Sequence, residues 1–300
     1  MTARAPLTGL DIALYGGVTF AWGFTWLAQH YQVGVVAPEV SVLWRFVIAA
    51  PFMLAIAAIR GEQLRFPLRD HLWLALLGLT LFCTNFALFY YAAQWITSGL
   101  LSVVFALASI INIVLGALLF GTPISLRTVI GAVLGVGGLA AMFYPQLAGA
   151  DLNAQMLIGI ALSIAGTFSF CFGNMISARL QRRRLPIFAT AGIGMMYGAC
   201  FLAMLTAFRG NAFIIEPTAR YVISLLYLAL IGSVLAFTCY LTLLGRISAD
   251  RAAYATVMFP VVALAVSTVF EGYRWTIPAA LGVVAVLAGI VLVLRAPKKT

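Results

Sequence analysis

The chain has 300 residues, of which 64% are apolar and only 9% charged, against roughly 25% charged in a soluble globular domain. Its formal net charge of +10 would suit a nucleic-acid reader, but that role needs Lys and Arg on one continuous face, and here they stand in short clusters between long apolar runs. Composition thus excludes a soluble enzyme and a nucleic-acid binder and leaves an integral membrane protein.

A bilayer-crossing helix needs about 20 apolar residues. Ten such stretches are predicted, centred near Thr19, Ala49, Phe82, Ser109, Val136, Thr167, Gly198, Gly232, Pro260 and Val286. The first continues as a span with no small-residue cleavage site behind it, so it is expected to stay uncleaved. It carries Tyr15, Thr19, Trp22 and Trp26 at the three- and four-residue spacing of one helix face.

The second stretch opens at Pro38 and holds Arg45, the charge set deepest in a predicted span. Arg45 lies roughly 9 Å from the outer end at about 1.5 Å per residue. It snorkels outward, pairs with Glu39 or Glu271 as an outer gate, or meets a solute's carboxylate; the residues leave all three open.

The third stretch places Phe82, Asn85, Phe86 and Phe89 on one face. An amide at that depth is costly unless it finds a partner or a water-filled cavity. Asn112 in the fourth and Asn174 in the sixth qualify by the same argument, with a bridge between two helices as the alternative. The glycine pairs Gly131 and Gly135, and Gly194 and Gly198, read as tight helix crossings. The eighth stretch offers Ser233, Phe237 and Tyr240. In the ninth, Pro260 removes a backbone hydrogen bond, which either exposes the Thr256 carbonyl to a cavity or leaves a static kink. The candidate solute-binding residues are therefore Trp22, Phe82, Asn85, Phe86, Phe89, Asn112, Asn174, Phe237, Tyr240 and Pro260, with Arg45 and Glu271 as the candidate gate or ion pair. For each, interhelical packing is the competing reading.

The intervening loops, including 61–70, 145–155, 179–186 and 209–220, are too short for a soluble domain. Most of the 18 Lys and Arg fall at the two termini and after the second, fourth, sixth and eighth stretches, with Arg179, Arg182, Arg183 and Arg184 as the densest group; the remaining loops hold Arg209, Arg220 and Arg274. By the positive-inside rule both termini are expected in the cytoplasm, in a multi-pass protein of the cell inner membrane.

A shift of 151 residues superposes Gly121 on Gly272, Gly131 on Gly282 and Gly138 on Gly289, within the similar stretches IGAVLGVGGLAAMF and LGVVAVLAGIVLVL. This lays the fourth and fifth stretches over the ninth and tenth. It divides the chain at 1–149 and 150–300 into two halves of five spans that form one transmembrane unit. An odd number of crossings per half inverts one half relative to the other, as in many secondary transporters with a midplane site. The expected fold is all-α, ten transmembrane helices in two inverted five-helix repeats.

Chemistry-bearing motifs are sparse. Cys83, Cys171, Cys200 and Cys239 stand singly in apolar segments, without C-x-x-C or His at metal-ligand spacing. H-E-x-x-H, G-x-S-x-G and G-x-x-x-x-G-K-[ST] are absent, and Gly135, Gly137 and Ala140 match G-x-G-x-x-A only inside a span. The sequence therefore predicts no catalytic residue, metal, cofactor or ATP hydrolysis. Asp11, Glu39 and Glu271 sit near span ends, so no carboxylate is placed at midplane to carry a proton.

AWGFTW in the first stretch, the entry at 38–45, MFPVVALAVSTVFEG in the ninth and the glycine-rich fifth and tenth also carry a resemblance. The chain resembles the ten-helix branch of the drug/metabolite transporter superfamily, the EamA-type carriers, over nearly its whole length. The motifs are diffuse and specify fold better than substrate. Similar members include bacterial exporters of aromatic and other neutral amino acids, so the resemblance implies amino-acid export by alternating access. The family often carries Glu near the end of both the fourth and ninth helices; here Phe120, Gly121 and Thr122 stand in the first half and Glu271 in the second. The partners implied are a small-molecule substrate and the bilayer, a monomer is compatible with the sequence, and no nucleic acid is expected. The alternatives are a multidrug or lipophilic-cation exporter of the same fold and, from another class, a membrane-embedded lipid-modifying enzyme.

Overall fold

The computed structural model describes residues 8–121, 124–147, 154–246 and 255–294. Thr122, the expected boundary at 149 and 150, and the basic residues of both termini lie outside them. The elements, in chain order, are α1 (Gly9–His30), α2 (Pro38–Ile59), α3 (Leu68–Leu77), a π-helical segment (Gly78–Thr84), α4 (Asn85–Ala92), α5 (Ser98–Ala106), α6 (Ala108–Phe120), α7 (Leu126–Leu147), α8 (Ala154–Arg182), α9 (Ile187–Phe208), α10 (Ala219–Leu226), a second π-helical segment (Tyr227–Leu235), α11 (Ala236–Arg246), α12 (Ala255–Phe270) and α13 (Ile277–Leu294). No strand occurs among the described residues.

Among the described residues, six helical stretches are long and apolar enough to cross a bilayer: Pro38–Ile59, Leu68–Ala92, Ser98–Leu119, Ala154–Arg182, Ile187–Phe208 and Ala219–Tyr240. Leu126–Met142, Met258–Phe270 and Ile277–Leu292 are shorter apolar helices. Helix α1 has 22 residues, but its glycines, threonines and tryptophans dilute its hydropathy, and it is not one of the six. The protein is an all-helical, multi-pass membrane protein.

Local chemistry explains where these helices begin and end. Thr8 and Asp11 form a reciprocal capping box at the start of α1, and Pro38 opens α2, where its missing N–H costs nothing. Gly121 and Gly272 follow α6 and α12 with φ of 67° and 66°, a left-handed backbone that glycine adopts without a Cβ penalty.

Ion pairs and hydrogen bonds tie the loops together at two opposite ends. At the end where α1 begins, Arg246 Nε meets Asp11 Oδ1 at 2.6 Å and Arg183 Nη1 meets Asp70 Oδ1 at 2.5 Å. There Glu62 also accepts a bond from the Ala189 amide, 2.8 Å, capping the first turn of α9. At the far end, Asn211 Nδ2 donates to Glu39 Oε1 at 2.6 Å, and Arg209 Nε lies 3.6 Å from the same oxygen.

Two apolar clusters fill the interior. One gathers α2, the Leu68–Ala92 stretch and α9 around Phe46, Met53, Leu77, Tyr90, Met195 and Leu202; the other gathers α1, α5, α7, α12 and α13 around Trp26, Val104, Met142, Phe259 and Val286. Helices α7 and α13 meet backbone to backbone. A Cβ built on Gly138 would fall 2.5 Å from the Gly282 carbonyl oxygen, and one on Gly289 would fall 2.5 Å from that of Gly131. Such approach is open only to glycine, and it lets dispersion act between two helices that have no hydrophobic drive to associate in lipid.

Candidate solute-binding site

The interior is crossed by a run of aromatic rings. On α1, Trp22 lies 5.2 Å from Tyr240 of α11 and 6.3 Å from Phe259 of α12, centroid to centroid. One turn further, Trp26 sits 5.2 Å from Phe89 and 5.5 Å from Phe105. Phe105 continues the run to Phe170 of α8 at 4.6 Å and closes it on Phe259 at 6.1 Å. These tilted and edge-to-face contacts are the geometry that the ring quadrupole favours. The Trp22 indole N–H donates to the Gly232 carbonyl at 3.3 Å, in the second π-helical segment.

The second centre is Arg45. Its side chain is buried, 4% exposed. Nε donates to Ser233 Oγ at 2.9 Å, and the guanidinium stands 4.4 Å above the Phe86 ring and 5.7 Å from that of Phe46. The Tyr90 hydroxyl lies beside the guanidinium and donates to Gln32 Oε1 at 2.9 Å. Ser233 reaches Arg45 because the π winding turns it inward while its own hydroxyl donates five residues back, to the Leu228 carbonyl at 2.9 Å. Beyond Tyr90 lies a cavity of about 280 Å³ at the far end, lined by Gln32, Tyr90, Gln94 and Trp95 among others.

The structure pairs Arg45 with neither carboxylate considered from sequence. Glu271 accepts from the Ser98 amide at 3.2 Å to each oxygen and from the Ser98 hydroxyl, and lies 3.5 Å from His30 Nδ1. Glu39 accepts from the Tyr91 hydroxyl and is held by Asn211 and Arg209. Six residues at about 100° each put Glu39 and Arg45 on different faces of α2, and Glu271 belongs to the separate end cluster at α5.

The other candidate residues divide in two. Trp22, Phe89 and Tyr240 join the aromatic run, and Phe86 supports Arg45. Phe82 fits into α9 instead: a Cβ on Gly198 would lie 2.7 Å from Phe82 Cβ, and the ring packs on Phe46 at 5.3 Å. Asn85 is buried; its Nδ2 donates to the Leu81 carbonyl at 3.2 Å and its Oδ1 has no partner. Asn174 Nδ2 donates to Asn112 Oδ1 at 3.4 Å, bridging α8 and α6. Phe237 packs against the first apolar cluster. Pro260 is buried within an α12 that runs unbroken from Ala255 to Phe270.

Sequence reasoning did not single out Tyr90, Gln32, Phe105 or Phe259. Tyr90 and Gln32 are 58 residues apart, and no spacing rule links positions on different helices. Among the described residues, no group of three or more His, Cys, Asp or Glu converges as a metal site.

The multi-pass helical bundle with its aromatic interior and buried cation defines an integral membrane protein as its class. A model of the EamA-like transporter family matches residues 12–144 and again residues 157–295. The chain belongs to this family, within the drug/metabolite transporter superfamily; it is a transporter and not an enzyme. It is 28% identical over 269 residues to the uncharacterized inner membrane transporter YedA of Escherichia coli, covering 89% of this chain and 83% of that one. It is 26% identical to the probable amino-acid metabolite efflux pump of the same organism, over 86% and 93% of the two chains. A crystal structure of a protein 17% identical in sequence matches with a TM-score of 0.67, covering 94% of this chain and 95% of that one; this likeness concerns the fold.

Proposed function

We propose that this protein is a secondary carrier exporting small neutral or zwitterionic amino acids with apolar side chains, aromatic ones foremost. One observation carries the reading: among the described residues the buried carboxylates Asp11, Glu39 and Asp70 are tied up in polar clusters at the two ends, and the buried charge away from those clusters is the cation Arg45. Aromatic faces suit apolar side chains, while a proton-coupled cation antiporter depends on a buried acid. The relative named as an amino-acid metabolite efflux pump lends the substrate class support.

In the architecture proposed here, residues 1–149 and 150–300 form two inverted five-helix halves, giving ten crossings with both termini in the cytoplasm of an inner-membrane protein. The glycine contacts support it, because the 151-residue shift carries the Gly138–Gly282 contact onto Gly289–Gly131. Each half also has a π-helical segment, Gly78–Thr84 and Tyr227–Leu235. Transport then proceeds by alternating access, one half rocking against the other. A lipophilic-cation exporter is the second reading, since the faces of Trp22 and Tyr240 would hold a cation by cation–π attraction; unpaired Arg45 opposes it by like-charge repulsion.

Flux into proteoliposomes of labelled phenylalanine, threonine and a quaternary ammonium ion, with and without a pH gradient, tests the proposal. Saturable phenylalanine flux is expected. Cation flux without amino-acid flux would establish the second reading, and flux of none of the three would remove both substrate classes.

A further inference from the structure

We propose that the far-end cavity binds the carboxylate of the solute on Gln32 and Tyr90, with buried Arg45 as its counter-charge. The proposal deepens the amino-acid reading above and rests on it for the choice of solute. A buried cation without an anion is costly, because the desolvation of the charge is not repaid. Three other arginines, Arg183, Arg209 and Arg246, each lie within ion-pair reach of a carboxylate. Among the described residues Arg45 lies within that reach of none, although it is more deeply buried than they are.

The surroundings of Arg45 hold it in place without neutralising it. Ser233 fixes Nε, the rings of Phe86 and Phe46 support the guanidinium, and the Tyr90 hydroxyl faces it. A guanidinium has five N–H donors, and Ser233 takes the one on Nε.

A second observation, independent of the charge, points to the same place. Gln32 is 2% exposed; its Oε1 accepts from Tyr90, yet its Nε2 has no partner. An unmatched amide donor and an unmatched cation thus flank one hydroxyl, and Gln32 and Tyr90 both line the cavity. At about 280 Å³ it falls at the small end of ligand pockets, which begin near roughly 300 Å³. Among the described residues, no acidic side chain lines it. The neighbouring carboxylate, Glu39, is already taken by Tyr91, Asn211 and Arg209. A carboxylate entering from the far end would accept from Gln32 Nε2 and from the Tyr90 hydroxyl, whose one proton turns away from Gln32 Oε1 to meet it, while Arg45 balances its charge and Trp95 contacts the rest of the solute.

Binding to the purified protein is followed by tryptophan fluorescence with three probes: phenylalanine, phenylpropionate, which keeps only the carboxylate, and phenylethylamine, which keeps only the amine. The wild-type protein should bind the two carboxylates on the order of 10- to 100-fold more tightly than the amine, the range set by hydrogen bonds to a charged group. Arg45→Gln should abolish that preference, weakening the two carboxylates and, with the like charge gone, strengthening phenylethylamine. Tyr90→Phe and Gln32→Leu, which leave the charge in place, should each narrow it several-fold and carry the test if Arg45→Gln does not fold. Equal binding of all three probes by the wild type, or an undiminished preference in folded Arg45→Gln, would overturn the proposal. Phenylalanine flux in parallel separates the two readings. Wild-type flux that persists with unchanged KM in Arg45→Gln removes the carboxylate site and spares the carrier reading. Absence of wild-type amino-acid flux, with carboxylate binding that depends on Arg45, does the reverse.

Discussion

The α7–α13 seam and the interior around Arg45 are both buried contacts between distant parts of the chain, yet different physics builds them. At the seam, Gly131, Gly138, Gly282 and Gly289 bring two backbones into contact with no polar side chain involved. At Arg45 the helices are held apart by rings and joined by a few polar bonds to Ser233, Tyr90 and Gln32. Van der Waals contact between backbones tolerates no added atom, whereas a polar interior with unmatched donors has spare capacity for a ligand. In the proposed carrier the first serves as a fixed joint and the second as the place where solute is handled.

The sharpest way to break this comparison is to put a side chain into the seam. Gly138→Leu should lower the midpoint of thermal unfolding in detergent strongly, since a Cβ there meets backbone that cannot move aside; overpacking of this kind costs on the order of 1–3 kcal/mol. Gly282→Ala, whose Cβ would stand 2.4 Å from the Gly138 carbonyl oxygen, should do the same to a lesser degree. Unchanged midpoints in both would mean that the seam is not a rigid joint.

Smaller effects are expected from the asparagine bridge. Asn174→Leu removes the 3.4 Å bond to Asn112, and interhelical bonds in membranes are worth about 0.6 kcal/mol on average, so a slight fall in the unfolding midpoint should accompany nearly normal flux. A large loss of flux at unchanged stability would instead return Asn174 to the solute pathway. Trp22→Ala should raise the KM for phenylalanine flux with little change for threonine, because it removes a ring that faces Tyr240 and Phe259; an equal change for both solutes would make Trp22 a packing residue. The smallest effect belongs to Arg246→Gln. It breaks an ion pair with Asp11 in which the arginine is 39% and the carboxylate 7% exposed; because Thr8 keeps its bonds to Asp11, the unfolding midpoint should fall only slightly.

Much of the fold was legible because lipid imposes a simple rule: a segment that crosses it must be long, apolar and internally hydrogen-bonded. The apolar runs from Pro38 to Ile59 and from Ile187 to Phe208 became helices for this reason, and the glycines of the fifth and tenth stretches marked where α7 and α13 touch. Periodicity also placed Trp22, Phe89 and Tyr240 on inward faces. It could not name the helix that Phe82 meets or the partners of Arg45, because helical spacing says which residues share a face and not which helix that face meets. Phe82 shares a stripe with Phe86 but fills a notch in α9 made by Gly194 and Gly198.

By itself, then, the sequence determined the solvent of this protein, its helical class and a tight-crossing role for the glycine pairs Gly131 and Gly135, and Gly194 and Gly198, since these follow from composition and local period. Only the tertiary structure decided that, among the described residues, Arg45 has no carboxylate beside it and that Tyr90 and Gln32, 58 residues apart, connect it to a cavity. The physical reason is that a side chain's electrostatic surroundings are set by which helices pack around it, and that packing joins residues across the whole length of the chain.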